Sequence, residues 1–184
     1  MHARLFVVLA AGLGLASGGN AQTRVGSDSA TRLDRLERDL TYGTAEGFAY
    51  ALNDQRLLTP PQWGAGWRGY ERRAASNIGE FWVQEITTEG LAAAMNRPLD
   101  YQRCRCRDFG DRMVHALHGA LFDPLPKGKW ALAVPRIVGA YGGAYAQTTW
   151  RPSPTKNRAS ITLTNGTTSL AIGALINMYH EIRR

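Results

Sequence analysis

The sequence predicts an all-α fold, a compact bundle of about five to six helices ending in a hairpin of two closely packed helices. Three observations carry this reading. Apolar residues recur at intervals of three and four through most of the chain, the period of one helical face. No long segment alternates apolar and polar residues as a half-buried strand would, and no internal repeat is present. Small residues recur four apart on several helical segments, which brings bare backbone onto one face.

Residues 1–21 read as an export signal. Arg4 supplies a positive start, and an apolar run from Leu5 to Leu15 follows, broken only by glycine. Gly19 and Ala21 sit three and one positions before a cleavage point, where a signal peptidase needs small side chains. That run is far shorter than the roughly 20 residues needed to span a bilayer core. The expected location is therefore outside the cytoplasm, in the periplasm or associated with the outer membrane. Residues 22–30 are polar and predict a disordered N-terminus, which leaves residues 31–184 as one helical domain.

The first helix is predicted from Thr31, where Leu33, Leu36 and Leu40 alternate with opposite charges three and four apart. It continues through Ala45, Phe48, Ala49 and Leu52 until Thr59-Pro60-Pro61, where proline removes a donor and ends the ladder. Residues 63–70 form a glycine-broken aromatic loop. A long helix over 71–95 carries Ala74, Ile78, Phe81, Trp82 and Ile86, and Pro98 marks the irregular stretch after it. A helix over 108–121 is expected to bury Met113, Val114, Leu117, Ala120 and Leu121, and residues 123–129 to turn the chain. Residues 130–150 are helix-length, with Pro135 near the true start. A polar linker over 151–158 leads to a last helix over 160–182, whose first few residues also suit a short extended piece.

Close packing is the strongest physical signal. Gly43, Gly47 and Ala51 form one small-residue row, and Gly139, Gly142 and Gly143 with Ala140, Ala144 and Ala146 form the densest. Each helical glycine costs about 1 kcal/mol relative to alanine, so such a row needs tight packing or a ligand to offset it. Gly166, Gly173 and Ala174 on the last helix offer a matching thin surface, and the two C-terminal helices are expected to pair antiparallel.

The formal net charge is +7 at pH 7, and the leader holds only one of those charges. Outside the cytoplasm that excess points to an anionic membrane surface or wall polymer rather than nucleic acid. Trp63, Trp67 and Tyr70, with Arg68, Arg72 and Arg73 nearby, suit a boundary between water and an apolar phase, although the same rings would also plug a core. A protein partner or a second copy of the chain is the other expected contact, through the small-residue helices.

Two groups carry candidate chemistry. Cys104 and Cys106 lie between Arg103, Arg105 and Arg107, which would favour thiolates; an inert oxidised pair, a redox pair and a soft-metal site all fit. Asp111, His115 and His118 fall within overlapping faces of one helix and form a candidate metal set, or simply a local hydrogen bond and a packed histidine. No Glu-x-x-His pair, Gly-x-Ser-x-Gly elbow or phosphate-binding glycine loop is present. No cofactor is expected.

The block Arg136-Ile137-Val138-Gly139-Ala140-Tyr141-Gly142-Gly143-Ala144-Tyr145, with Thr149-Trp150-Arg151-Pro152, resembles one found in uncharacterised exported bacterial proteins. The likeness extends to Tyr70-Glu71-Arg72-Arg73 before it and to residues 173–181 after it. It implies an exported helical protein and assigns no activity. The expected role is a non-catalytic helical protein of the cell envelope; the alternative is a metal- or thiol-dependent periplasmic enzyme built on one of the two groups above.

Overall fold

In a computed structural model that describes residues 29–125, 128–152 and 157–183, the described residues form five α-helices, one short 3-10 turn and one small β-hairpin. The all-α class is thus as the sequence predicts. The export signal over 1–21 and nearly all of the expected disordered start over 22–30 lie outside the described residues. The described residues divide into two compact units: the first holds those up to Trp82 with 146–152, and the second holds those of 83–145 with 157–183.

In the first unit, α1 (Ser29–Arg56) runs without a break through both predicted halves. It ends where Leu58 turns left-handed at φ 49° and Thr59 N donates to Asp54 O at 2.8 Å, just before the two prolines. A short 3-10 turn (Pro61–Trp63) follows, and α2 (Trp67–Ala94) begins four residues earlier than expected. Gly64 and Gly66 hold φ of 69° and 83°, values glycine adopts at little cost, so the reversal is complete before Trp67. The expected small-residue row on α1 packs on α2. A Cβ on Gly43 would lie 3.1 Å from Phe81 Cβ, one on Gly47 would lie 2.9 Å from Ile78 N, and Ala51 is fully buried.

In the second unit, Asp108 caps α3 (Phe109–Leu121), accepting from Gly110 N at 2.7 Å and Asp111 N at 3.3 Å. The predicted turn is instead an antiparallel hairpin. Strand β1 (Phe122–Leu125) pairs with β2 (Lys129–Leu132), with Phe122 opposite Leu132 and Leu125 opposite Lys129. Each strand has only four residues, too few for a period-two signal. Helix α4 (Val134–Trp150) starts next to Pro135, and α5 (Arg158–Ile182) is helical from its first residue, so the extended piece suggested near 160 is absent.

The packing surfaces differ from the expected ones. Val114, Leu117 and Leu121 face outward, and α3 packs along α5 through Ala116, Gly119 and Ala120. A Cβ on Gly119 would come within 2.8 Å of the Tyr101 ring, and Asn177 of α5 donates to Ala116 O at 3.3 Å, so only small residues fit there. Helices α4 and α5 do meet, with the Tyr141 ring against Gly166 and its hydroxyl 3.0 Å from Thr167 Oγ1. Gly139, however, lies on α2 against Thr88 and Gln84 O, while Gly142 and Gly173 face open space and Gly143 is buried. The hairpin thus shares α2 as a third helix: Ser169 of α5 donates to Gln84 Oε1 at 2.8 Å.

One consequence runs through both units. Apart from Cys104 and prolines, every fully buried apolar side chain among the described residues is an alanine. Leucines, isoleucines and tryptophans are half-buried or exposed, as expected where helix backbones approach through small residues.

Candidate functional site

The contact residues predicted around the aromatic loop separate into two sets. Arg73 is completely buried, and its guanidinium organises the turn: Nε donates to Thr59 O, Nη2 to Pro60 O, and Nη1 to both Gly64 O and Gln55 Oε1, all at 2.8–2.9 Å. It is withdrawn from any external contact. Trp63 is half-buried, with the Arg151 guanidinium 5.9 Å from its ring centre. Trp67 is the outward ring, 70 % exposed, 5.4 Å from the ring of half-buried Tyr70. Arg68 and Arg72 are exposed beside it. Leu57 and Leu58, on the other side of the same turn, are also exposed, together with Arg56. Gln55 Nε2 closes the turn by donating to Gly66 O at 3.1 Å. The tip of the α1–α2 turn therefore presents three large apolar side chains among three arginines, with Glu71 as a nearby carboxylate. The sequence reading missed Leu57 and Leu58, because they look like the last core positions of a helix rather than its exposed end.

Beneath the tip lies a polar network that no motif signalled. Arg151 donates to Asp54 Oδ2 at 2.7 Å and to Asn77 Oδ1 at 2.8 Å, and Asn77 donates to Asp54 Oδ2 at 3.2 Å. Gln147, almost fully buried, donates to Asn77 Oδ1 at 3.2 Å, and Trp150 Nε1 donates to Ser76 Oγ at 3.1 Å. Such a mutually satisfied set fixes the ends of α1 and α4 against α2. Glu80 lies close enough to feel it. Burial pushes its carboxyl up to about 7, against the pull of Arg151 and with a further push from Asp54. Glu46 is also raised by burial, and Tyr50 is raised by burial and by both glutamates.

A raised carboxyl favours the protonated folded state, so the Glu80 contribution is least unfavourable below the ordinary carboxyl value of 4.5 and worsens as pH rises through about 7. In denaturant unfolding, the Glu80→Gln variant should accordingly lose less stability than the parent between pH 4.5 and about 7. An unchanged slope would mean that Glu80 titrates normally.

The candidate metal set does not assemble. Asp111 is exposed in the first turn of α3. His115 Nε2 lies 2.8 Å from Gln102 O, so in the matching tautomer it donates to that carbonyl rather than bonding Asp111. His118 stacks on Phe122 at 4.5 Å and meets the Trp130 ring edge-on at 4.6 Å. These rings seat the β-hairpin on α3. Among the described residues no three His, Cys, Asp or Glu side chains are grouped to hold a metal ion. The neighbouring cavity, bordered by Tyr101, Gly119, Trp130 and Arg136, holds about 10 Å³, space for one water and no substrate.

Cys104 and Cys106 form a disulfide, with Cα atoms 5.2 Å apart. Glu181, fully buried at the end of α5, accepts from Cys104 N at 2.7 Å and from Tyr101 Oη at 2.9 Å through the same oxygen. Arg112 of α3 donates to Glu181 O at 3.2 Å. The next residue, His180, has its imidazole pushed below the ordinary value by burial and by Arg103 and Arg183. A second buried carboxyl group, Asp123, pairs with Arg136 at 3.2 Å, and Arg136 also donates to Gly119 O and Leu99 O, both at 2.8 Å. That pair anchors the start of α4 to β1 and α3.

Comparison with family models, with curated proteins and with solved structures finds no match.

Proposed function

We propose that this is a non-catalytic helical protein of the cell envelope, exported by its N-terminal segment, whose α1–α2 tip rests on an anionic membrane surface. The observation that carries the reading is the tip itself. Leu57, Leu58 and Trp67 are each about half exposed or more, and the exposed Arg56, Arg68 and Arg72 lie within a few residues of them in the chain. Apolar side chains would enter the headgroup boundary while the guanidinium groups meet lipid phosphates. The net charge of +7 supports the same reading. Helix-mediated protein contact is its second part, supported by the large apolar side chains that α3 and α5 leave outside, among them Val114, Leu117, Leu163, Leu175 and Ile176. Helix α5 is also long and apolar enough, by length and composition alone, to cross a membrane, and little of it is buried.

Flotation with phosphatidylglycerol vesicles tests the tip. Binding should weaken as salt rises, and Trp67→Ala combined with Leu57→Ala should reduce it at least about tenfold, because both side chains are exposed and add little to the core. Equal binding by the double variant and the parent sinks the assignment. Cell fractionation with a carbonate wash then separates peripheral attachment from insertion of α5.

A further inference from the structure

The Cys104–Cys106 bridge closes a loop across the single residue Arg105. So small a loop restrains the unfolded chain least among disulfides, and stability is a weak reason for it. The two residues are unequally placed: Cys104 is 5 % exposed, while Cys106 is only half-buried. The Cys104 backbone is fixed by Glu181, and the Cys106 amide points back at Cys104 Sγ at 3.1 Å. Arg103, Arg105 and Arg107 stand exposed around the bridge.

From this arrangement we infer that the pair is a thiol–disulfide exchange site for a dithiol carried on an acidic segment of another protein, with Cys106 the sulfur attacked and Cys104 the sulfur that leaves. The inference adds to membrane contact a stoichiometric exchange, one partner dithiol per bridge, and does not depend on that contact. A partner thiolate attacks Cys106 Sγ and forms a mixed disulfide, and the Cys104–Cys106 bond breaks with its electron pair passing to Cys104. The departing Cys104 thiolate takes the hydrogen bond from the Cys106 amide and sits in the field of the three arginines. Glu181 opposes that charge, but the oxygen that faces this segment is occupied by the Cys104 amide and the Tyr101 hydroxyl. The partner's second thiolate then attacks its own sulfur in the mixed disulfide, and Cys106 leaves as a thiolate. Both cysteine thiolates take up the protons the partner's thiols released. Two electrons and two protons have passed from the partner dithiol, now a disulfide, to the cysteine pair. The arginines select a partner whose dithiol is flanked by carboxylates.

The experiment uses the full chain and two dithiol peptides, one flanked by glutamates and one by lysines. The glutamate peptide should reduce the bridge at least about tenfold faster at low salt, with the gap closing at high salt. After acid quenching of a reaction with 2-mercaptoethanol, mass spectrometry should find the adduct on Cys106. In the single-thiol variants, Cys104→Ser should react with an aromatic disulfide reagent at least about tenfold faster than Cys106→Ser. The proposal is overturned if the bridge resists both peptides, if the peptides react equally, or if the adduct sits on Cys104. The peptide and adduct measurements need no substitution, so they stand if a variant fails to fold.

Discussion

Replacing Arg73 with alanine should lower the unfolding free energy by about 4 kcal/mol, near the upper end for a single change. The guanidinium is fully buried and gives hydrogen bonds to Thr59 O, Pro60 O, Gly64 O and Gln55 Oε1. Hydrogen bonds to a charged group contribute about 1.5–3 kcal/mol each, and removal of the donor leaves its acceptors without their partner inside the turn. Arg73→Lys should recover less than half of the loss, since an ammonium has three donors on one atom and cannot reach along both edges of the turn as the planar fork does. Denaturant unfolding followed by circular dichroism measures the effect, and tryptophan fluorescence reports on Trp63 and Trp67 in the same turn. A loss under about 1 kcal/mol would mean that water replaces the guanidinium readily and that the turn is held from elsewhere. Such a variant also bears on membrane contact, because the turn positions Leu57, Leu58 and Trp67. Weaker vesicle binding by a folded Arg73→Lys protein would place the arginine as the group that positions the tip.

The role of Arg73 was not legible in the sequence, and the reason is general. Tyr70-Glu71-Arg72-Arg73 places two adjacent arginines at the start of a helix, and spacing alone cannot tell which faces in. The turn decides it by bringing four oxygens to one side. The helices themselves were legible because their periodicity is long and their stops are strong: Pro60 and Pro61 after α1, and the Asp108 cap before α3. Short or distant features were not. Strands β1 and β2 are too brief to show a pattern, and Pro124 inside β1 reads as a turn. The Asp54, Asn77 and Arg151 network joins residues far apart in the chain, so no local motif announces it. Hydrophobicity was a poor guide to burial on α3. Alanine and glycine admit the Tyr101 ring and α5, so the leucines are the residues left outside.

The same logic makes glycine substitutions the sharpest probe of the packing, because two neighbouring glycines of α4 should respond with opposite signs. A Cβ on Gly139 would overlap Thr88 Oγ1 and lie 2.8 Å from Gln84 O, a backbone atom of α2 that cannot rotate away. Gly139→Ala should therefore destabilise by about 2 kcal/mol net, after the roughly 1 kcal/mol that alanine gains inside a helix. Gly139→Val should be worse still, since its branches extend toward the same backbone. Gly142, three residues on, has nothing within 4 Å of a built Cβ, and Gly173 in α5 is the same. Gly142→Ala and Gly173→Ala should each stabilise by about 0.5–1 kcal/mol through helix propensity and reduced freedom of the unfolded chain. Spacing alone ranks Gly139, Gly142 and Gly173 together as packing positions; the structure separates them by what lies opposite. Thermal unfolding of the three alanine variants distinguishes the two views. If all three fall together, Gly142 and Gly173 also lie against something in the working protein, and the open faces of α4 and α5 become the place to look for a partner helix. If Gly139→Ala alone falls, the close approach of α4 to α2 is the contact that this glycine row exists to permit.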